Sequence, residues 1–555
     1  MTIPVQTTTV EQLVDTLSLE DKAGLLFHAM AFLIPTPDGT VELGPVRHHI
    51  AAQRISHFAV MGPASPETIG TLADEIAAFA AQAGLPVPVT LSSDPRQVTA
   101  DRPGHASAAS GFSEWPEPLG LAAIRNPNAA YAAGRATAEE FRAAGLHTLL
   151  GPQLDVLTEL RWARGTGTFG GDPDLVIETA RAYLRGLHGS DPSTRVSSVI
   201  KHFPGAGPQR DGEDSHFEYG QDQVYPGGHF DTHLRPFAEL ITEGVSQVMP
   251  YYSKPVGTEF DEVGFAFNKR IITGILREQL QFDGVVLTDF GVLTDQNLFG
   301  ETIPARAWGL QDATVDERIL RGLDAGVDQF GGEAVPEIVV QLVQDGRLSM
   351  ERLDESVLRI LHEKQRLGLF ESTQRPEMTP ARRDDLRQQG ASAQRSAVTV
   401  LKPSGDVGSS TPVITINAAG ASEHDLGALD AAIVMVGSPF EPRDGFFEAM
   451  FPAGSLEYPE AQTRAILELA ARIPVTLVVD LTRPAILTPF ADAVNGLYVH
   501  YGSSTAAVLD VVLGRATGAG KLPVQLPRTT EDVTAGSIDQ PLRIQDPLFP
   551  FGAGR

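Results

Sequence analysis

Short apolar runs recur along the first 330 residues, and each closes on polar or charged side chains. They are 57–62 (HFAVMG), 88–94 (PVTLSSD), 147–155 (HTLLGPQLD), 196–203 (VSSVIKHF), 245–252 (VSQVMPYY), 285–291 (VVLTDFG) and 325–330 (AGVDQF). Runs of this length and composition predict buried parallel strands covered on both faces. Between most of them lie segments with apolar positions three or four apart: 66–83, 128–144, 174–187, 233–243, 269–280 and 315–323. These predict helices, as does 10–30, where Ser18 precedes the acids Glu20 and Asp21 of a first turn. Alternating strands and helices imply parallel strands joined by crossover helices, and about eight such units close into a (β/α)8 TIM-like barrel.

The polar ends of those strands then converge on one face of the barrel, where such folds keep their chemistry. Asp94, Lys201, His202, Tyr252 and Asp289 are far apart in sequence yet all fall at strand ends. Asp289 closes the apolar run that begins at Val285 and is the candidate nucleophile; a lone acid there could equally be a helix cap or a loop turn, and it is the recurrence of the pattern that favours chemistry.

Beyond the barrel, 346–370 reads as a closing helix with Ser349 as its N-cap. Residues 371–395, rich in Pro, Arg, Asp and Gln, read as a linker that turns helical from Arg382. From 396 to 555 the pattern resumes: buried strands at 431–437, 475–480 and 496–500 alternate with helices at 458–472 and 506–512. The expected organisation is a catalytic barrel (1–370), a linker (371–395) and a smaller α/β sandwich domain (396–555).

Charge narrows the partners. Lys and Arg total 43 against 70 Asp and Glu, a formal net charge of −27, which argues against nucleic acid and anionic membrane surfaces. A neutral small-molecule glycoside suits this balance, and a homodimer is the assembly considered. With no cysteine, disulfides, thiolate metal sites and a Cys nucleophile are excluded. Neither a zinc-type ligand spacing nor a Gly-rich phosphate loop is present, so no metal or cofactor is expected. Residues 1–12 have no basic or apolar leader pattern, and the expected location is cytoplasmic.

Several segments together resemble glycoside hydrolase family 3. They are Arg161-Trp162-Ala163-Arg164 with 168–173 (TFGGDP), 201–205 (KHFPG), Thr288-Asp289, 366–370 (RLGLF), 520–523 (GKLP) leading to Pro527-Arg528, and 547–552 (PLFPFG). The resemblance implies a barrel carrying a nucleophilic Asp and a second α/β domain supplying an acid/base Glu. By position, Asp289 is then the nucleophile, and Asp94, Arg164, Lys201 and His202 bind sugar hydroxyls, with Arg161 as the rival of Arg164. Met249 and Tyr252 are further candidate substrate contacts, each with a packing role as its alternative.

The acid/base is contested. The 436–445 segment (VGSPFEPRDG) carries Ser438 where better-known members have Glu, so Glu441 is the first candidate and Glu448 the second. Asp214-Ser215-His216 resembles the Asp-x-His dyad of the family's β-N-acetylglucosaminidases, although Ala206 stands where those enzymes carry His. The expected activity is a retaining exo-β-glycosidase, foremost a β-glucosidase. The alternatives are a β-N-acetylhexosaminidase or phosphorylase using the dyad, a β-xylosidase, or a non-catalytic sugar-binding protein.

Overall fold

A computed structural model describes residues 9–35, 41–43, 45–100, 106–108, 110–189, 194–298, 300–371, 375–405 and 407–555. Eight parallel strands form the barrel wall: β1 (Phe27–Pro35), β2 (His57–Met61), β3 (Thr90–Ser93), β4 (Thr148–Leu149), β5 (Ser197–Phe203), β6 (Gln247–Pro250), β7 (Val285–Val286) and β8 (Phe330–Gly331). Their order is β7-β6-β5-β4-β3-β2-β1-β8. A parallel bridge between Leu287 and Gln329 closes the ring, with Thr288 N–H donating to Gln329 O (2.9 Å) and Gln329 N–H to Val286 O (3.1 Å).

One strand differs from the sequence reading. The predicted helix 10–30 is two short helices, Val10–Thr16 and Leu19–Leu25, followed directly by β1. Ser18 does cap the second, in a reciprocal box with Asp21. Residues 25–34 (LLFHAMAFLI) are almost unbroken apolar, so helical and strand periods coincide there. Tertiary pairing decides: β1 registers with β2 from His28 to Phe32 and with β8 at Phe27 and His28.

The second sheet contains β9 (Thr399–Lys402), β10 (Val413–Thr415), β11 (Ala432–Gly437), β12 (Val475–Asp480) and β13 (Gly496–His500), in the order β9-β13-β12-β11-β10. All pairs are parallel except the β9 edge. Most of the segment read as a linker is a helix, Pro380–Ala397, capped by Thr379. It bonds to both sides: Gln394 Nε2 donates to Glu114 O (2.9 Å) and Gln394 Oε1 accepts from Ser504 N–H (2.8 Å). Its Gly390 is required, because a Cβ there would lie 2.2 Å from Glu114 O. The helix expected from Arg382 begins at Pro380, and its composition is polar because only one narrow side of it is buried. Among the described residues, no helix is long and apolar enough to cross a membrane.

Candidate active site

Asp289 follows β7 at the C-terminal mouth of the barrel and is 8% exposed. Its Oδ1 accepts the N–H of Phe290 (2.8 Å), while Oδ2 has no hydrogen-bond partner among the described residues. An acceptor-only atom left open in a buried site is costly unless a ligand meets it. Gly291 follows with φ 77°, and a Cβ there would meet Arg306 Nη1 at 2.5 Å. The turn therefore needs glycine both for its backbone and for the close guanidinium. Arg306 Nη1 donates to Phe290 O (3.1 Å), which also accepts the Tyr252 hydroxyl (2.7 Å). Burial first, and then the charge of Asp289, raise the Tyr252 phenol well above its ordinary pKa, so it stays a donor.

Facing Asp289 Oδ2 at 3.8 Å is His202 Nε2. His202 Nδ1–H donates to Asp155 Oδ2 (2.8 Å), and Asp155 Oδ1 accepts the backbone N–H groups of His202 (3.1 Å) and Ala206 (2.7 Å). Burial holds the imidazole far below its ordinary pKa, so it is neutral and the proton sits on Nδ1. The lone pair of Nε2 is thus turned into the site as an acceptor. Beside it, Lys201 Nζ donates to Asp94 Oδ1 (3.0 Å), both groups nearly buried.

Arg164 completes the ring. It is 2% exposed, with its guanidinium carbon 5.6 Å from the Tyr251 ring centroid. Burial alone would lower its pKa, but the Tyr251, Asp214 and Asp289 side chains outweigh that and raise it. Arg161, the rival, is engaged elsewhere: it grips the buried Glu159 through Nε (2.9 Å) and Nη2 (3.0 Å). Asp172, which could have paired with Arg164, instead caps helix Pro173–His188. Met249 lies in a barrel-interior cluster with Ala59, Leu150, Val199 and Leu287, beneath Phe290.

The three acid/base candidates are placed very differently. His216 Nδ1–H donates to Asp214 Oδ1 (2.6 Å), and Asp214 Oδ2 accepts from Trp162 Nε1–H (2.9 Å) and the Tyr251 hydroxyl (3.2 Å). Burial pushes the Asp214 carboxyl up, yet the charge and hydrogen bond of His216, with Arg164, bring it well below the ordinary range. Burial lowers the His216 imidazole against the pull of Asp214. The His216 ring packs on Tyr252 (4.8 Å between centroids) and on Phe451 (4.6 Å).

Glu441 and Glu448 lie in the loop after β11, residues 438–456, which reaches the barrel. Glu441 forms the loop's neck: it bridges with Ala453, and its Oε1 accepts Ser455 N–H (3.1 Å). Glu448 Oε1 accepts the hydroxyl of the half-exposed Tyr219 (2.7 Å). Between the two glutamates, Phe447 packs on His216 (6.1 Å) and under Arg306 (5.6 Å).

Sequence reasoning missed Asp155, Tyr251 and Arg306 as parts of the site. Asp155 carried the same signal as Asp94, an acid at the end of an apolar run. Nothing local marks Arg306, whose role depends on where the chain returns. Among the described residues, no group of three or more His, Asp or Glu side chains is arranged to hold a metal ion.

A closed (β/α)8 barrel that ends one strand in a buried, open carboxylate, rings it with fixed donors and acceptors, and takes a roof from a second α/β domain has the architecture of a glycoside hydrolase. The glycosyl hydrolase family 3 N terminal domain matches residues 58–362 and the family's C-terminal domain matches 299–555. The chain belongs to glycoside hydrolase family 3. It is 38% identical over 570 residues to a probable beta-glucosidase C of Aspergillus flavus, covering 98% of this chain and 89% of the relative. It is 32% identical to a periplasmic beta-glucosidase/beta-xylosidase of Dickeya chrysanthemi, covering 98% and 89% of the two chains. An exo-1,3/1,4-beta-glucanase from a Pseudoalteromonas species shares the fold with a TM-score of 0.76 at 21% identity, covering all of this chain and 74% of that one.

Proposed function

We propose that the protein is a retaining exo-β-glucosidase in which Asp289 is the nucleophile and His216, held by Asp214, is the acid/base. The observation that carries this reading is the open Oδ2 of Asp289, set 3.8 Å from the lone pair of a neutral His202 and enclosed by Asp94, Lys201 and Arg164. These residues are each at most 8% exposed, so the open carboxylate oxygen and the groups around it are shielded from bulk water, as a site that takes a single terminal sugar requires. The β-glucosidases among the relatives support glucose as that sugar.

In the first step, with His216 as the imidazolium, Asp289 Oδ2 bonds to the anomeric carbon as the bond to the leaving oxygen breaks, and His216 Nε2–H gives that oxygen its proton, leaving a neutral ring with Nδ1–H on Asp214. In the second, His216 takes a proton from water, the water oxygen bonds to the anomeric carbon, and Asp289 is released. Asp214 fixes the tautomer, since its bond to Nδ1 leaves Nε2 for transfer. His216 is favoured over the glutamates because its ring touches Tyr252, which bonds to the residue after Asp289. Glu441, by contrast, is bound into the neck of its own loop.

The test compares His216→Ala, Glu441→Gln and Glu448→Gln on aryl β-glucosides of graded leaving-group pKa, with azide present and absent. His216→Ala is expected to lose about 10²-fold or more on poor leaving groups and to regain rate with azide. If that pattern belongs to Glu441→Gln or Glu448→Gln instead, the donor assignment is wrong. The dyad also favours a second reading, a β-N-acetylhexosaminidase. Relative kcat/KM on 4-nitrophenyl β-glucoside and its 2-acetamido analogue decides between them.

A further inference from the structure

Arg483 follows β12 in the second domain, is fully buried, and spends its guanidinium on backbone carbonyls. Nη1 donates to Gly454 O (3.2 Å), and Nη2 to Pro439 O, Ala453 O (3.2 Å) and Ser455 O (3.4 Å), so one planar group holds both ends of the 438–456 loop. Nη1 also donates across to the barrel, to Arg161 O (2.8 Å). The main chain of Arg483 is braced in turn by Ser438, whose hydroxyl donates to Arg483 O (2.7 Å) and accepts Arg483 N–H (3.2 Å).

The loop so anchored does two things at the barrel mouth. It lays Phe447 and Phe451 against His216, and it carries Glu441 and Glu448. Further along, Arg443 pairs with Glu213 of the barrel (2.7 Å), and the N–H of Phe446 donates to Glu301 (2.9 Å). Those contacts are partly exposed to water and contribute little by themselves. Arg483 is the buried one, and its planar fork reaches five carbonyls that a lysine's single ammonium cannot.

We infer that Arg483 is a positioning residue for proton donation: it registers the second-domain loop to the barrel segment at Arg161, and so fixes the proton-donating side of the site relative to Asp289. The inference rests on the reading that the donor lies within or against this loop. It does not depend on whether that donor is His216 or one of the glutamates.

The test is Arg483→Lys and Arg483→Gln, each assayed on 2,4-dinitrophenyl β-glucoside, whose leaving group departs unprotonated, and on methyl β-glucoside, whose leaving group does not. A loop shifted from its register is expected to lower kcat/KM on the methyl glucoside by about 30-fold or more while the dinitrophenyl glucoside stays within about 3-fold. The lysine variant should be the milder of the two. Parallel losses on both substrates, or none on either, would overturn the inference. Should neither variant fold, Phe451→Leu, which shortens the ring against His216 and leaves the guanidinium alone, is read the same way with the same outcomes. If His216→Ala lacks the leaving-group signature and a glutamate variant shows it, the donor assignment falls while the Arg483 variants still decide the positioning role.

Discussion

The two halves of the site are built by different means. On the barrel side, Asp94, Lys201, His202 and Asp289 come from the ends of β3, β5 and β7, and each is fixed within a strand-end network. On the other side, a long excursion from β11 meets the barrel through aromatic rings, a partly exposed ion pair and hydrogen bonds, held at its neck by one buried arginine. A strand end is placed by the ladder around it, whereas a loop is placed only by what grips it. Bond making is therefore assigned to the rigid half, and control of the leaving group to the half that has to be held.

The largest effect expected from this contrast is at Asp289. Asp289→Ala should lower kcat by roughly 10⁴-fold or more on every substrate, activated or not. If activity on the dinitrophenyl glucoside survives, the rigid half has been misassigned. Next are Lys201 and Asp94, the proposed sugar contacts. Lys201→Met or Asp94→Asn leaves one partner of a buried, charged hydrogen bond alone and should cost about 10- to 100-fold in kcat/KM whatever the leaving group. A loss that tracked leaving-group pKa would place these residues on the wrong side of the comparison.

Much of the barrel half was legible in the sequence because its signal is local. A short apolar run, in several cases ending in an acid or in Lys-His, can be read from a few adjacent residues, and seven of the eight strands were read from such runs. β1 was not, because an unbroken apolar stretch fits two periods and only pairing with β2 and β8 chooses between them. The loop half was poorly legible for a matching reason. Glu441 and Glu448 look alike as acids after a strand, and what separates them is that one closes the loop neck on Ser455 and the other meets Tyr219. Arg483 gives no sequence signal at all, since carbonyl acceptors are supplied by any residue.

A smaller effect sharpens the comparison through pH. Burial depresses several imidazoles in the barrel: His28 falls to about 3, and His188 and His233 to about 4. The unfolded chain binds these protons near 6.5 and the folded one does not, so the stability they confer is present above about pH 6.5 and is lost as pH falls toward 4. At pH 5 each lowers folding stability by about 2 kcal/mol relative to neutral pH. Thermal melts should show Tm dropping between about pH 6.5 and 4.5, and a flat Tm would contradict the neutral, buried histidines. His216 is shifted in the same direction, so the alkaline limb of kcat/KM should lie below pH 6.5 and should vanish in His216→Ala.

The smallest effect is at the loop's own acids. Glu441→Gln keeps the acceptor for Ser455 N–H and should stay within about 3-fold of the parent, even on poor leaving groups. A greater loss would return the proton donor to the second domain.

Everything proposed for this site depends on Asp289 forming the covalent bond to the sugar. Inactivation with 2,4-dinitrophenyl 2-deoxy-2-fluoro-β-glucoside, followed by proteolysis and mass spectrometry, reads it directly. The predicted result is one fluoroglucosyl adduct on Asp289, formed in step with loss of activity and slowly reversed as the adduct turns over. Labelling of any other carboxylate, or steady turnover of substrate with no adduct formed by the inhibitor, would contradict it.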